Sequence, residues 1–257
     1  MKKNIYLTVI WIVTIFCIIG GSFYHIMGWG EDFFEDFGLG SSLKGKTYTY
    51  NDAVDAFNSI SLDIDLSEVN IVTGDKYGLS YECTKNVVPD FKVEDGILCI
   101  IQNSKNPHFP RRNGNDNCII TITVPKETEL SRISGGCDLG DMKFTGLTVD
   151  EIDIECDMGE AVITDVTVSS ITCACNLGNC EISGCSFDNL TVDNNLGNIE
   201  VYSKNSLTDY VMDLSVSMGG IEVDGEDYGT HYKQKGDKDK NIKLSNSMGS
   251  ISIEVED

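Results

Sequence analysis

A four-residue pattern recurs at a constant interval in the middle of this chain, and it limits the possible folds more than any other feature. Each copy contains a polar residue, a Leu or Met, a Gly and a second polar residue. The copies begin at Asp138, Asp157, Asn176 and Asn195, so the interval is 19 residues each time. A fixed period of about 20 residues is typical of a solenoid, in which each repeat hides its apolar face against the next repeat.

Other positions of the repeat are apolar in every copy, as stacking requires. The aligned sets are Phe144, Ile163 and Ile182; Val149, Val168 and Phe187; and Ile152, Ile171 and Leu190. Because an apolar side chain at a fixed phase is hidden only if successive turns stack, we predict that these positions face inward. The residues before the glycines form a further column that we also predict to face inward, namely Leu139, Met158, Leu177 and Leu196.

The glycine of each copy stands where a coil would turn a corner. A corner that needs positive φ favours Gly, since Gly has no Cβ. Towards the C-terminus the interval lengthens, and inserted residues are expected to form loops between corners, here at 225–240. The predicted corner glycines are Gly140, Gly159, Gly178, Gly197, Gly219 and Gly249.

The rest of the chain after residue 56 also has the pattern of strands. Ile60, Leu62 and Ile64 alternate with polar residues, which is typical of a half-buried strand. We therefore predict an all-β fold, a parallel β-solenoid of 19-residue coils over residues 57–257. A sandwich of antiparallel hairpins would not require a constant period. The chain ends in a strand without a recognisable cap, so we expect an open sheet edge there.

The N-terminus has the pattern of a membrane anchor. Residues 5–27 contain no charged side chain and are long enough to cross a bilayer as a helix. Lys2 and Lys3 precede them, which predicts a cytoplasmic N-terminus and an extracytoplasmic C-terminal domain on a single-pass protein of the cell membrane. We assign residues 1–28 to a transmembrane helix and 29–56 to a membrane-proximal linker. A cleaved signal peptide is the alternative, because residues 20–22 are small.

Charge and cysteine content narrow the classes of partner. A formal net charge of −22 disfavours nucleic acid and flat contact with anionic lipid. Of the ten cysteines, Cys137, Cys156 and Cys175 share one column of the repeat. Cys173, Cys180 and Cys185 stand where earlier periods have Ile, Met or Leu and are interpreted as small apolar fillers, so we expect buried free thiols. Disulfides remain an alternative in an oxidising compartment. Cys173 and Cys175 form only a weak metal motif, so we predict neither a metal nor a cofactor.

The repeat as a whole resembles a known family. The alternating start at 60–64, the strand at 121–125 that leads into the Leu/Met-Gly turns, and the single N-terminal span are similar to the bacterial β-strand-repeat family of putative adhesins or toastrack domains, which includes LiaG-like envelope proteins. The resemblance covers about residues 57–257. It implies a membrane-tethered, extracytoplasmic domain associated with envelope stress or surface interaction, and it brings no catalytic residues.

No catalytic motif is recognisable in the sequence, and the three histidines are widely separated. We therefore expect a non-enzymatic binding or scaffold module in cell-envelope sensing or adhesion, with an envelope protein or a surface glycan as its partner and an unknown oligomeric state. Two alternatives remain, a solenoid carbohydrate-active enzyme and a purely structural spacer. The predicted contact residues lie in the loops 103–117 and 225–240, and they are Arg111, Arg112, Tyr228, His231 and Tyr232.

Overall fold

The computed structural model describes residues 47–102 and 116–256. The predicted anchor at 1–28, most of the predicted linker, and Arg111 and Arg112 lie outside the described residues. Within the described residues, no helix has the length and apolar character needed to span a membrane.

The described residues form β-strands and two short 3₁₀ turns. In chain order the strands are β1 (Thr47–Ala53), β2 (Ser59–Ile64), β3 (Glu68–Gly74), β4 (Gly78–Thr84), β5 (Asp90–Glu94), β6 (Ile97–Gln102), β7 (Cys118–Pro125), β8 (Glu129–Leu139), β9 (Met142–Thr145), β10 (Thr148–Met158), β11 (Ala161–Thr164), β12 (Thr167–Leu177), β13 (Cys180–Cys185), β14 (Asn189–Leu196), β15 (Ile199–Ser203), β16 (Tyr210–Met218), β17 (Ile221–Val223), β18 (Glu226–Asp227), β19 (His231–Gln234), β20 (Asp237–Met248) and β21 (Ile251–Val255). The 3₁₀ turns span Lys85–Val87 and Leu207–Asp209.

Each coil contributes one long and one short strand, and these build two sheets. In the first sheet the order is β1-β4-β7-β3-β9-β11-β13-β15-β21-β17-β18, and in the second it is β19-β16-β20-β14-β12-β10-β8-β2-β6-β5. The central strands of both sheets pair in parallel, as in β8, β10 and β12. The all-β class and the solenoid arrangement of parallel coils are therefore confirmed.

The strand register shows that residues 19 apart lie beside each other. Ile171 pairs with Ile152 on one side and with Leu190 on the other. Ile163 lies between Phe144 and Ile182 in the same way. The three apolar sets predicted to stack are all buried, and they belong to one hydrophobic core.

The order of the coils in the stack differs from their order in the chain at both ends. At the N-terminal end β2 lies between β6 and β8, and β3 lies between β7 and β9. The coil of β2 and β3, which comes first in the chain, is therefore an inner coil, and the later coil of β6 and β7 lies outside it. At the other end β20 lies between β14 and β16, and β21 lies between β15 and β17. The final strand therefore enters the stack one coil before its end and does not close it.

Antiparallel strands cover the ends of the stack, so the expectation of an uncapped edge was wrong. β19 pairs with the outer strand β16, and β18 pairs with β17. The segment 225–240, expected to be a loop, thus contains β18, β19 and the beginning of β20. At the other end β5 pairs with β6, while β1 and β4 extend the first sheet beyond β7. β1 places one strand of the sheet inside the predicted linker 29–56.

Candidate binding surface at the coil corners

The predicted corner glycines lie at the corners and bring neighbouring coils into backbone contact. Their φ angles lie between +137° and +154°, where side chains with a Cβ are strained. A Cβ built on Gly178 would collide with the carbonyl oxygen of Gly159, and one on Gly159 would collide with that of Gly140. Gly197, Gly249 and Gly219 continue the same ladder. The predicted glycine column is thus a column of close backbone contacts.

The column before the glycines is stacked as expected, but it faces solvent. Leu177 pairs with Met158 and Leu196 in the neighbouring coils, so the register is as predicted. The exposed fractions are 42% for Leu139, 46% for Met158, 51% for Leu177 and 42% for Leu196. The prediction that these four residues face inward is therefore wrong.

The corner geometry explains the error. Along β10 the side chains of Ile152, Ile154 and Cys156 point inward in alternation, and a straight strand would put Met158 on the same face. The chain bends at Gly159 before that alternation can continue, and Met158 is left outside the bend. The next buried side chain is Ala161, the first residue of β11. Cys156 and Ala161 fill the interior of this corner.

Six exposed apolar side chains consequently form one continuous row along the corner, which we call the Leu/Met ridge. In stack order its members are Leu139, Met158, Leu177, Leu196, Met248 and Met218. The last two are 45% and 58% exposed. At about 4.8 Å per coil, the ridge is about 24 Å long. Contiguous apolar surface of this kind is uncommon on soluble domains and often marks an interaction site.

A hydrogen-bonded ladder of polar side chains lies on each side of the ridge. On one side Asn195 donates to Asn176 over 2.6 Å, and Asn176 donates to Asp157. On the other side Asn179 Nδ2 donates to Glu160 over 3.1 Å, and the backbone N–H of Asn198 donates to the side chain of Asn179 over 3.0 Å. These bonds link the corners that present the ridge.

The charge beside the ridge changes from one end to the other. Asp138, Asp141, Asp157 and Glu160 flank its first two residues, Asn residues flank the next two, and Ser247, Ser250 and Ser217 flank the last two. Partial burial and then repulsion from Asp65 and Asp157 raise the pKa of Asp138 above its ordinary value. The ridge is therefore an apolar row with one anionic end and one neutral end.

The cysteine column lies inside the corner, beneath the ridge. Cys137 and Cys156 are buried free thiols, and both also donate hydrogen bonds. Cys156 Sγ lies 3.4 Å from the carbonyl oxygen of Gly140, and Asn194 occupies the same column and donates to Gly178 over 3.1 Å. Burial raises the pKa of Cys156 to about 12, so its thiol keeps the proton that it donates. The sequence interpretation missed this bonding role, although the Asn in the same column was its signal.

One group of cysteines could hold a metal ion. The sulfur atoms of Cys173, Cys175 and Cys180 lie within 4.8 Å of one another. The sequence placed the first two together but gave no reason to add Cys180. A different pair, Cys83 and Cys118, forms a disulfide between β4 and β7.

The predicted contact residues at 225–240 lie on the cap of the last coil, where the backbone of 228–230 bonds to Val216 and Ile221 on either side of the corner at Gly219. The rings of Tyr228 and Tyr232 are 4.5 Å apart, and Tyr228 is 45% exposed. Tyr232 is half-buried against the core, where burial raises its pKa, and its hydroxyl donates to Gln234. His231 is exposed on β19. These side chains mainly fix the cap, and only Tyr228 and His231 offer much surface.

A shallow groove at the other end of the stack has the aromatic residues expected of a glycan site, but it lacks a paired acid and base. Its volume is about 320 Å³, and Tyr50, Tyr81 and Glu82 are among its lining residues. The tyrosine rings stack with centroids 5.4 Å apart. Glu82 is the only charged residue in that lining. Glycoside hydrolysis generally requires two carboxyl groups across the scissile bond, so this groove is not arranged for it.

Comparison with known proteins gives the family. Residues 57–256 match the Toastrack DUF4097 family over most of the chain. The chain belongs to the Toastrack DUF4097 family. Among curated proteins, none matches the chain significantly.

A solved structure with a TM-score above 0.5 shows the same fold. A "putative cell adhesion protein" from Clostridium sporogenes superposes with a TM-score of 0.53 at 13% identity, covering 82% of this chain and 100% of that one. A "putative adhesin" from Bacteroides fragilis gives a TM-score of 0.44 at 17% identity, covering 82% of this chain and 97% of that one. At these identities the first likeness is one of fold, so function must be argued from this toastrack domain's own surface.

Proposed function

We propose that this toastrack protein is a membrane-anchored, extracytoplasmic binding module of the cell envelope that acts without catalysis. The observation that carries the binding role is the Leu/Met ridge, where six apolar side chains stay exposed in adjacent coils. Keeping these side chains in water costs hydrophobic free energy, and covering them with a partner recovers it. Leu and Met also adapt readily to different apolar surfaces.

The ridge favours a protein partner over a glycan or a lipid surface. Glycan sites use aromatic faces and hydrogen-bond donors, whereas the ridge offers aliphatic and thioether side chains. The acids beside Leu139 and Met158 would repel an anionic membrane. We propose a partner segment with an apolar stripe and with Lys or Arg at the end that meets Asp138 and Glu160.

A peptide selection tests this proposal directly. Random peptides selected against the whole protein should be enriched in apolar residues combined with Lys or Arg. Leu177→Ser should weaken their binding at least about tenfold, a loss of about 1.4 kcal/mol. The matched control is Ile101→Ser, because Ile101 is 42% exposed but lies on β6, away from the ridge. Peptides that bind both variants equally would contradict the ridge as the binding surface.

The same variants separate the protein partner from lipid. Neutral phosphatidylcholine vesicles should bind the wild-type domain no better than they bind Leu177→Ser, since the proposed partner is a peptide chain. Vesicle binding that depends on Leu177 while no peptide is enriched would reject the proposal in favour of a membrane surface.

Two observations support the proposed location outside the cytoplasm. Residues 5–27 have the length and composition of a membrane span. Cys83 and Cys118 form a disulfide in the fold, and such bonds persist mainly in oxidising compartments. We predict that the protein fractionates with membranes and that protease added to intact spheroplasts degrades the domain. Complete protection until lysis would contradict this orientation.

A purely structural spacer is one alternative to the binding module. Deleting 225–240 does not discriminate between spacer and binder, because this segment holds β18 and β19 and covers the last coil. Ridge substitutions do discriminate, since they change solvent-exposed atoms and leave the length of the stack unchanged. A spacer would keep its cellular role when Leu177 and Met158 are both replaced by Ser, whereas a binding module would lose it.

A further inference from the structure

Three cysteine side chains meet inside a single coil. Cys173 and Cys175 are alternate residues of β12 and therefore share its inward face. Cys180 begins β13, directly after the corner at Gly178, so the corner folds it back towards them. Cys173 Sγ lies 3.6 Å from Cys175 Sγ and 3.7 Å from Cys180 Sγ, and all three sulfurs lie within 4.8 Å of one another.

The neighbouring coils show that packing alone does not require sulfur at these positions. The coil before has Ile154, Cys156 and Ala161 at the equivalent places. The coil after has Val192, Asn194 and Ile199. The fold therefore tolerates apolar or amide side chains at each of the three positions, and this coil alone of the three places a cysteine at all of them.

From this geometry we propose that Cys173, Cys175 and Cys180 form a buried three-sulfur site for a soft monovalent metal ion, with Cu(I) as the fitting ion. Two sides of the sulfur triangle are 3.6 and 3.7 Å and the third is at most 4.8 Å, so an ion equidistant from the three sulfurs would lie about 2.1–2.4 Å from each, close to the length of a metal–thiolate bond. Soft thiolate ligands select Cu(I), Zn and iron–sulfur clusters. Structural Zn sites use four ligands in a tetrahedron, whereas this group offers three, so a three-coordinate ion fits better.

The thiolate is the form of cysteine that binds a metal ion, so each of the three sulfurs releases its proton when it binds. Binding of Cu(I) by all three sulfurs thus releases up to three protons, and it changes no oxidation state.

Two further features suit a cation at this place. Asn194 occupies the position next to Cys175 in the following coil, and its buried Oδ1 has no hydrogen-bond partner among the described residues. On the outside of the same region a depression of about 50 Å³ has Cys180, Glu160, Glu181 and Glu200 among its lining residues. Three carboxylates around this depression raise the local concentration of cations beside the coil that holds the sulfurs.

The direct test is a competition titration of the full-length protein, purified without oxygen, with Cu(I) held by a chromophoric chelator. We expect one equivalent of Cu(I) to move to the protein, and X-ray absorption should show three sulfur neighbours at a single distance. Cys180→Ala and Cys173→Val should each weaken binding at least tenfold. These variants introduce residues that neighbouring coils already carry at the same positions, so they should remain folded.

The control variant is Cys156→Ser, which lies in the same column one coil away and keeps a donor for Gly140. It should bind Cu(I) within about threefold of the wild type. The proposal is overturned if no Cu(I) leaves the chelator, if Cys180→Ala binds as tightly as the wild type, or if absorption shows two sulfurs or a nitrogen ligand. It is also overturned if the protein isolated without reductant has a disulfide between any two of the three cysteines.

Discussion

At each corner a single glycine lets two coils come into backbone contact, and we expect this contact to stabilise the stack. Gly178→Ala would place a Cβ against the carbonyl oxygen of Gly159 at a φ of +154°. We expect this change to lower the free energy of unfolding by at least about 2 kcal/mol, through strain and loss of the close contact. Urea denaturation measures it.

Gly220→Ala is the matched control for this change. Gly220 lies beside the corner at Gly219, but a Cβ there would meet nothing within 4 Å. Its effect should stay within about 0.5 kcal/mol. If the two alanine variants were equally stable, the close corner contact would not exist.

The carboxyl group of Asp138 should make the stability of the protein depend on pH. Its raised pKa means that the folded state binds a proton more readily than the unfolded chain, so the charge opposes folding at neutral pH. Asp138→Asn should therefore stabilise the protein at pH 7, by at most about 0.5 kcal/mol because the group is largely exposed. The gain should shrink as pH falls through the raised pKa, and it should vanish below the ordinary value of 3.8.

Denaturation curves at pH 7 and pH 3.5 measure this difference, and Asp150→Asn on the exposed face of β10 is the control. A gain for Asp138→Asn that is equally large at pH 3.5 would show that the charge is not its cause.

The sequence correctly predicted which strand residues of the repeat face inward, but it did not predict that the residues before the corner glycines face solvent. Val149, Ile152 and Phe144 lie within strands, where alternation determines the buried face. Leu139 and Met158 lie at the bend, where the alternation is interrupted and apolar character alone does not show the side of the chain. The column of Cys137, Cys156 and Cys175, two residues earlier in each coil, is buried and was the better indicator of the interior.

At the scale of the element, the last strand is an interior strand. β21 pairs with β15 on one side and β17 on the other, although it ends the chain. Ile253 is fully buried between the two, whereas Val255 is 40% exposed. We expect Ile253→Ala to cost about 2–5 kcal/mol, and Val255→Ala less than about 1 kcal/mol. Chemical denaturation measures the free energy of unfolding of both variants. If Ile253→Ala cost as little as Val255→Ala, β21 would not be a firmly packed interior strand.

The exchanged order of the terminal coils could not be predicted from the period. The spacing between corners shows how many residues separate two coils in the chain, but it does not show which coil lies beside which. Met218 follows Leu196 in sequence, yet Met248 lies between them in the stack. The antiparallel strands β18 and β19 could not be predicted from the period either. Each pairs with only one strand and is not part of a coil, so its sequence does not carry the repeat pattern.

In the whole molecule, stacking of the coils joins single exposed apolar side chains into one long apolar surface. One exposed Leu or Met is ordinary on a protein surface, but six in register make a row about 24 Å long. Parallel pairing keeps the row in register, and polar side chains bond neighbouring corners on both sides of its central part. This organisation suits an extended partner, which the proposed binding function requires.

The most direct test of the account asks whether the residues before the corner glycines are stacked and exposed. Leu177→Cys combined with Leu196→Cys places two cysteines in adjacent coils with their Cα atoms about 4.8 Å apart, which is within the Cα–Cα range for a disulfide. Leu177→Cys combined with Met248→Cys places them two coils apart, beyond that range. Mild oxidation of the folded protein should join the first pair rapidly and leave the second pair open to maleimide. If the first pair stays reduced, or if the thiol at 177 resists maleimide until the protein unfolds, the exposed ridge does not exist.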